Sequence, residues 1–211
     1  MKDSAGNLIT PATYPTAKSS DTTIASPTQG GTNDTATATS GAVYWGITPA
    51  AAASYGPVTI TFTAGTVTAT AVVTLSSAVA ATASVSDVSV GAGDSIAYAL
   101  TLKDAKGYAI PDGLAASNYV SSIASVGGIA TEVSTTSVKS ANGVLTLKGV
   151  APLVSTTITS TITLTGTAGT ADTNFAKALA GTTLAPKATV SNASTDAAID
   201  AANEAAQAAS D

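Results

Sequence analysis

The chain contains one short sequence twice, as KDSAGNLITP over Lys2–Pro11 and as KDAKGYAIP over Lys103–Pro111. Two further pairs of similar stretches are Thr22–Ser26 with Ser121–Ser125, and Thr59–Thr63 with Thr161–Thr165. The members of each pair lie about a hundred residues apart, and loop insertions between fixed strands account for a drift of a few residues. This internal repeat predicts two copies of one module, each large enough to bury a core of its own.

Apolar and hydroxyl-bearing residues alternate over several short stretches, and this period of two predicts half-buried β-strands. The stretches are Val58–Thr63, Val67–Ala71, Ile96–Leu102, Leu145–Leu147 and Ile162–Leu164. Clusters of Gly, Pro, Asn and Asp separate the strands and indicate turns. Many short strands joined by turns predict an all-β fold of two tandem antiparallel β-sandwiches.

The apolar positions of these strands predict two separate cores. The core of the first module is predicted at Ile24, Val43, Trp45, Val58, Ile60, Phe62, Val67 and Val73. The core of the second is predicted at Val88, Ile96, Tyr98, Leu100, Leu102, Leu145, Leu147, Ile158, Ile162 and Leu164. Trp45 could instead form a stacking platform for a sugar, but a lone Trp within a strand pattern favours a core position.

The two modules are not equally complete. Before its Lys-Asp sequence the second module has two predicted strands, Thr82–Val90 and Ser95–Leu102, whereas the first has only Met1. Either the chain is cut from a longer one, or the first module folds without its opening strands. In the second case an unpaired sheet edge would recruit strands from other chains. The predicted domains are 1–78 and 79–187, followed by a linker and helix over 188–211.

An Ala-rich helix is predicted from Ser194 onward, with Ser194 or Thr195 as its N-cap. A narrow apolar seam consists of Ile199, Ala202, Ala206 and Ala209. A helix this short is marginal alone in water, which leaves two interpretations. It is a frayed tail, or it is the start of a coiled coil that joins copies of the chain into a homo-oligomer.

Composition excludes several classes of function. The net charge is −5, with 8 basic residues, all of them Lys, so no basic patch is available for nucleic acid. The absence of Cys and His removes the usual catalytic triads and the usual zinc ligands, so we expect no enzyme and no cofactor except calcium. No apolar stretch is long enough to span a membrane.

Acidic and amide side chains in predicted turns provide the candidate ion and modification sites. The calcium candidates are Asp87, Asp94, Asp104 and Asp112, because a hard cation takes carboxylate oxygens in loops. The alternative is that each Asp accepts hydrogen bonds from the backbone of its own turn. Asn33 and Asn192 lie in glycosylation sequons, which count only in a protein exported by an archaeon or a eukaryote.

The sequence over Lys2–Ile9 resembles the strand-end and turn signature of bacterial immunoglobulin-like domains, the repeats of invasin-like adhesins, surface layers and phage virion proteins. The second copy, over Lys103–Ile110, keeps the Asp and Gly but has Tyr in place of Asn. The resemblance implies two tandem Ig-like sandwiches with a scaffold or adhesive role and no catalytic residues. The Ala-rich helix resembles in composition the stalk segments of marine phage structural proteins.

These observations predict a non-enzymatic structural subunit of an extracellular assembly. A phage virion fibre, whisker or surface projection is the first expectation, because no secretory signal follows Met1. A surface-layer or filament subunit with strand exchange is the second. The competing class is an adhesin or carbohydrate-binding module that would bind a glycan receptor through the loop Gly46–Gly56 with Tyr55, or through Tyr108 and Tyr119.

Overall fold

The computed structural model of the chain describes residues 5–6, 15–29, 45–51, 54–125, 138–164, 175 and 177–210. The chain divides into two compact units, Met1–Ser76 and Ser77–Asp211. Strands and turns form both units, and one α-helix ends the second. The predicted all-β class of sandwich units followed by a short Ala-rich helix is confirmed.

The described residues of the first unit form five strands in two small antiparallel sheets. The strands are β1 (Thr16–Ser19), β2 (Ala25–Gln29), β3 (Trp45–Pro49), β4 (Gly56–Ala64) and β5 (Val67–Leu75). One sheet has the order β1-β4-β5, and the other is the pair β2-β3. Apolar side chains from both sheets pack against each other around three buried residues, Ala25, Val58 and Ile60.

The described part of the second unit forms eight strands. They are β6 (Thr82–Ser84), β7 (Val88–Gly91), β8 (Ser95–Lys103), β9 (Val120–Ser125), β10 (Val144–Val150), β11 (Thr156–Leu164), β12 (Thr183–Leu184) and β13 (Lys187–Ser191). One sheet has the order β10-β8-β6. In the other, β11 pairs with β9 on one side and with β12 and β13 on the other, and β7 follows β13.

The opening segment of the second unit crosses from one sheet to the other. Thr82–Val90 was predicted as one strand, but β6 pairs antiparallel with β8, whereas β7 pairs parallel with β13. Asp87 lies at the crossing, where its Oδ1 accepts the N–H of Lys187 at 2.7 Å. An opening strand shared between the sheets and a parallel partner for the closing strand complete an immunoglobulin-type sandwich.

The core of the second unit comes from alternate residues of its long strands. Nine of the ten predicted core residues are buried, and Val88 is partly buried and packs against them. In the first unit Val58 and Ile60 are buried and Ile24, Phe62 and Val73 pack against them. Val67 is 68% exposed, so its prediction was wrong, because it directly follows the turn of the β4–β5 hairpin. Val43 lies outside the described residues.

The repeated Lys-Asp sequence has the same backbone conformation where it can be compared. Gly6 and Gly107 have φ angles of 85° and 84°, which favour glycine. The proposed equivalence of Thr22–Ser26 with Ser121–Ser125 is wrong. Ser121–Ser125 lies in β9 and pairs with the long strand β11, as β1 pairs with β4, whereas Ala25 and Ser26 lie in β2 and pair with β3.

Two further differences concern the end of the chain. Residues 188–191 were predicted as linker, but they belong to β13, where Ala188 and Val190 are buried. The helix α1 covers Ala193–Ser210 and therefore begins before the predicted caps Ser194 and Thr195. The sequence did not predict this strand, because apolar and polar residues alternate only over a short stretch next to Pro186.

The turn between residues 141 and 144 sets the start of β10. Asn142 and Gly143 have φ angles of 50° and 75°, and Ala141 and Val144 exchange two backbone hydrogen bonds of 3.0 Å. Two central residues with positive φ form the tight hairpin turn that matches strand twist. A Cβ atom at Gly143 would lie 2.7 Å from the Cβ of Ala109.

We expect Gly143→Ala to destabilise the second unit by about 2–4 kcal/mol, because it adds overpacking to left-handed backbone strain. Gly107→Ala is the matched control, since Gly107 has φ 84° with no atom within 4 Å of the added Cβ. The control should cost only about 1 kcal/mol. Differential scanning calorimetry of the full chain measures both. Equal losses would show that the close approach to Ala109 carries no cost.

Candidate functional site

The four candidate calcium ligands all accept hydrogen bonds from backbone N–H groups. Asp94 accepts from Gly91 at 3.1 Å, Asp112 from Asn142 at 2.6 Å, and Asp87 from Lys187 as described above. Within the described residues no three acidic side chains come together to hold a metal ion. The turn role of these aspartates therefore has direct geometric support, and calcium binding stays a prediction.

Asp104 has the most hydrogen bonds of the four. Its side chain is only 2% exposed. Oδ1 accepts the N–H groups of Lys106 and Tyr108, both at 2.9 Å, and Oδ2 accepts the N–H of Ser77 at 3.0 Å. The carboxylate thus closes the turn of the repeated Lys-Asp sequence and holds the first residue of the second unit against it.

Asp104→Asn should lower the free energy of unfolding by about 2–3 kcal/mol, because an amide nitrogen then faces the N–H of Ser77. Asp112→Asn is the control and should cost about 0.5 kcal/mol or less, because the amide oxygen can still accept the hydrogen bond from the N–H of Asn142. Thermal unfolding with and without millimolar CaCl₂ checks both variants. A calcium-dependent stabilisation lost in either variant would instead support a metal role for that aspartate.

The aromatic residues proposed for ligand contact differ in exposure. Tyr119 is fully buried, its hydroxyl donates to the carbonyl of Ala78 at 2.7 Å, and its ring stacks on Phe175 with centroids 5.9 Å apart. The prediction of Tyr119 as an exposed contact residue was therefore wrong.

Three other aromatic side chains are half-buried. Tyr55 and Tyr108 are partly accessible and lie outside the strands. Trp45 on β3 lies 6.2 Å from Phe62 between ring centroids, with the rings tilted by 60°. This contact supports the core interpretation of Trp45 over an open sugar platform, since tilted aromatic pairs at this distance are favourable packing arrangements.

Burial raises the pKa of Tyr119 above its ordinary value of 10.0. The unfolded chain loses this proton first as pH rises, so the stability that Tyr119 provides is complete below about pH 10 and falls above it. Tyr119→Phe should cost about 1 kcal/mol near neutral pH and flatten the decline between about pH 10 and pH 12. Urea unfolding across that range measures the slope. An unchanged slope in Tyr119→Phe would contradict the assignment, and Tyr108→Phe serves as control.

The base of helix α1 is tied to the loop after β10. Asn192 is the N-cap, and its Oδ1 accepts the hydroxyl of Ser194 at 2.8 Å and the N–H of Thr195 at 3.3 Å. Ser155 accepts the N–H of Asn192 and donates to Oδ2 of Asp196, both at 2.7 Å. The N-cap Asn192 thus lies two or three residues before the predicted caps Ser194 and Thr195. Asn192 takes this position because it also binds Ser155 and Leu153 in the loop after β10.

These contacts bear on the glycosylation candidates. The Nδ2 of Asn192 donates to the carbonyl of Leu153 at 2.7 Å, so both polar atoms of the amide hold the helix base. A glycan on Nδ2 would compete with that bond. Modification of Asn192 stays a prediction, and Asn33 lies outside the described residues.

The predicted seam of α1 faces solvent. Every residue of the seam is exposed, Ile199 by 53%, and the helix has no buried residue. Three more exposed apolar side chains, Val150, Leu153 and Val154, lie at or beside the loop that binds the helix base. These three residues could not be identified from the sequence, because apolar residues in a loop show no periodicity that indicates whether they are exposed.

Neither the profiles of known protein families nor the sequences of curated proteins match this chain. Solved structures that resemble it include domains 4 and 5 of the S-layer protein SbsC (TM-score 0.33, 19% identity, 91% of this chain and 79% of that one). InvD of Yersinia pseudotuberculosis gives 0.34 and 18%, with 90% and 51% covered. A glycosyl hydrolase family 2 member from Bacteroides cellulosilyticus gives 0.38 and 17%, with 71% and 19% covered.

The chain thus spans most of the SbsC fragment, but about half of InvD and a fifth of the hydrolase. TM-scores this low carry no argument about function. In the described part of the chain, no helix combines the length and the apolar character needed to cross a membrane.

Proposed function

We propose that this chain is a non-enzymatic structural subunit of an extracellular assembly. Its sandwich units serve as rigid spacers, and α1 joins copies of the chain. A phage virion fibre, whisker or surface projection is the preferred assembly, on the strength of the Ala-rich helix. A surface-layer or filament subunit is the second candidate.

One observation carries this proposal. Helix α1 is fixed at its first turn by hydrogen bonds to Ser155 and Leu153, yet its remaining residues are exposed on every face. Eighteen residues of helix extend about 27 Å, and such a helix is marginal alone in water. Packing of the small seam residues against other copies of α1 supplies the missing burial, because small side chains let helices approach closely.

The polar side chains support a mechanical rather than a catalytic role. The aspartates of the second unit considered above bind backbone N–H groups in turns, and Tyr119 fills the core. Catalysis needs acids, bases or nucleophiles that converge on a substrate, and these groups are instead spread among separate turns. The adhesin or glycan-binding alternative has fewer residues to use, since only Tyr55 and Tyr108 of its proposed tyrosines keep accessible surface.

The seam is tested by paired lysine substitutions in the full chain. Ala202→Lys with Ala206→Lys places charge in the seam and should reduce the assembly to single chains of 20.2 kDa. Ala201→Lys with Ala208→Lys adds the same charge on another face and should leave the assembly intact. Size-exclusion chromatography with light scattering gives the masses, and circular dichroism confirms equal helix content.

Two results would contradict the role of the helix. One is a wild-type chain that stays monomeric at high micromolar concentration. The other is an equal loss of assembly in the seam pair and the control pair, since charge alone would then be the cause. A chain shortened after Asn192 gives a third comparison that keeps β13 and the cap residue in place.

A further inference from the structure

The sequence contains a single Asn-Gly pair, Asn142-Gly143, and this pair forms the turn before β10. Asn-Gly is the dipeptide most prone to spontaneous deamidation, because glycine has no side chain to shield its backbone nitrogen from the neighbouring amide. Asn is accordingly counted among the heat-labile residues of proteins. Asn142 is exposed to solvent, so water can reach its amide. The chemistry is thus available here, and the geometry of the turn decides whether it proceeds.

Deamidation begins with the attack of a backbone nitrogen on a side-chain amide. The nitrogen of Gly143 gives its proton to a base in the solvent and bonds to Cγ of Asn142. The Cγ–Nδ2 bond breaks, and ammonia leaves with a proton taken back from the solvent. Water then opens the resulting cyclic succinimide at either carbonyl carbon, which yields aspartate or isoaspartate. In isoaspartate the main chain runs through Cβ and Cγ, so the backbone is longer by a methylene group.

The folded turn holds the reacting atoms apart. Asn142 and Gly143 both have positive φ, 50° and 75°. The flanking residues Ala141 and Val144 exchange two backbone hydrogen bonds, which completes a type I′ turn. In this turn type ψ of the first central residue is about +30°, which places the nitrogen of Gly143 nearly opposite Cβ of Asn142 about the Cα–C bond. Ring closure needs these two atoms nearly eclipsed, so the closed turn prevents the attack.

Neighbouring segments keep the turn closed. The N–H of Asn142 donates to Oδ1 of Asp112 at 2.6 Å. The carbonyl of Gly143 accepts the N–H of Leu102 at 2.8 Å. A Cβ atom at Gly143 would lie 2.7 Å from Cβ of Ala109 and 3.0 Å from the carbonyl oxygen of Leu102. Because these segments leave little room for the backbone to rotate, the hairpin must open before the ring can close.

We propose that Asn142 is a deamidation site gated by its hairpin turn. The closed turn protects the side chain, and each opening of the hairpin exposes Cγ to the nitrogen of Gly143. Because ammonia is lost to the solvent, the change is irreversible. This inference goes beyond the proposed assembly role and does not depend on it.

The isoaspartyl product cannot form the same turn again. Its longer backbone would have to fit where Gly143 already lacks space for a Cβ atom. The start of β10 would then lose its hydrogen bond with Leu102. The aspartyl product keeps the original backbone, and Asp tolerates the positive φ at position 142. The two products should therefore differ in stability.

The first measurement compares the rate of deamidation in the folded and the unfolded full chain. Both samples are kept at the same pH and temperature, one in buffer and one in concentrated guanidinium chloride. Peptide mapping by liquid chromatography and mass spectrometry gives the modified fraction at Asn142 and separates the aspartyl from the isoaspartyl peptide. We expect the folded chain to react at least about tenfold more slowly, because only the opened fraction reacts.

Two variants of Asp112 test whether opening of this turn admits the reaction. Asp112→Ala removes the acceptor for the N–H of Asn142 and should raise the rate in the folded chain about fivefold. Asp112→Asn keeps an oxygen acceptor and should stay within about twofold of the original chain. Neither change should alter the rate in guanidinium chloride, since Asp112 lies 30 residues from Asn142 in the sequence. Circular dichroism checks that both variants fold.

The stability of the products is measured after ion exchange has separated the chains that gained a carboxylate. The isoaspartyl chain should unfold at a lower concentration of guanidinium chloride than the original chain. Asn142→Asp is the matched control, because it has the same added charge on the original backbone. It should unfold close to the midpoint of the original chain.

Three results would overturn the proposal. The first is no modification of Asn142 in the unfolded chain, and the second is an equal rate in the folded and the unfolded chain. Neither depends on a variant that must fold. The third is an equal rate in the two folded Asp112 variants, since the reaction would then follow global unfolding. An isoaspartyl chain as stable as Asn142→Asp would overturn the predicted loss of the turn.

Discussion

The pairing of β8 with β10 is the interaction on which the second unit depends. It places the alternate apolar side chains of a nine-residue strand in the core, and the other residues of the strand lie on the outer face. A sandwich is stable only when both sheets cover the same apolar layer, since hydrophobic burial scales with the area removed from water. Within the described residues, the core of the first unit is smaller and lies around Ala25, Val58 and Ile60.

A second constraint is the shortage of charged residues. With 10% charged residues, the chain has few side chains for ion pairs. It uses Asp, Asn and Ser to accept backbone N–H groups in turns, and Asp104 alone accepts three. Buried polar backbone groups must be paired, so these carboxylates are structural parts of the turns. This explains why acids that are near one another in the sequence face different turns in the structure.

In helix α1 the tertiary contacts are confined to the first turn. Its first turn is fixed by a cap that also binds the sandwich, and beyond that turn it has no contact that buries a side chain. Three hydrogen bonds at Asn192 and Ser155 attach the base of the helix to the loop after β10. The helix follows directly on β13, which pairs with β11.

The sequence by itself determined the elements whose signal is local. The period of two gave the long strands and nearly all of the second core, the Asn-Gly pair gave the β10 turn, and the Ala-rich stretch gave the helix. Only the tertiary structure decided which strands pair. Contacts between residues distant in the chain decide four features. Thr82–Val90 divides between two sheets, residues 188–191 form β13, Asn192 is the helix cap, and Tyr119 is buried. Periodicity describes which face of a strand is apolar, but the neighbour that covers that face is fixed by long-range packing, which no local pattern contains.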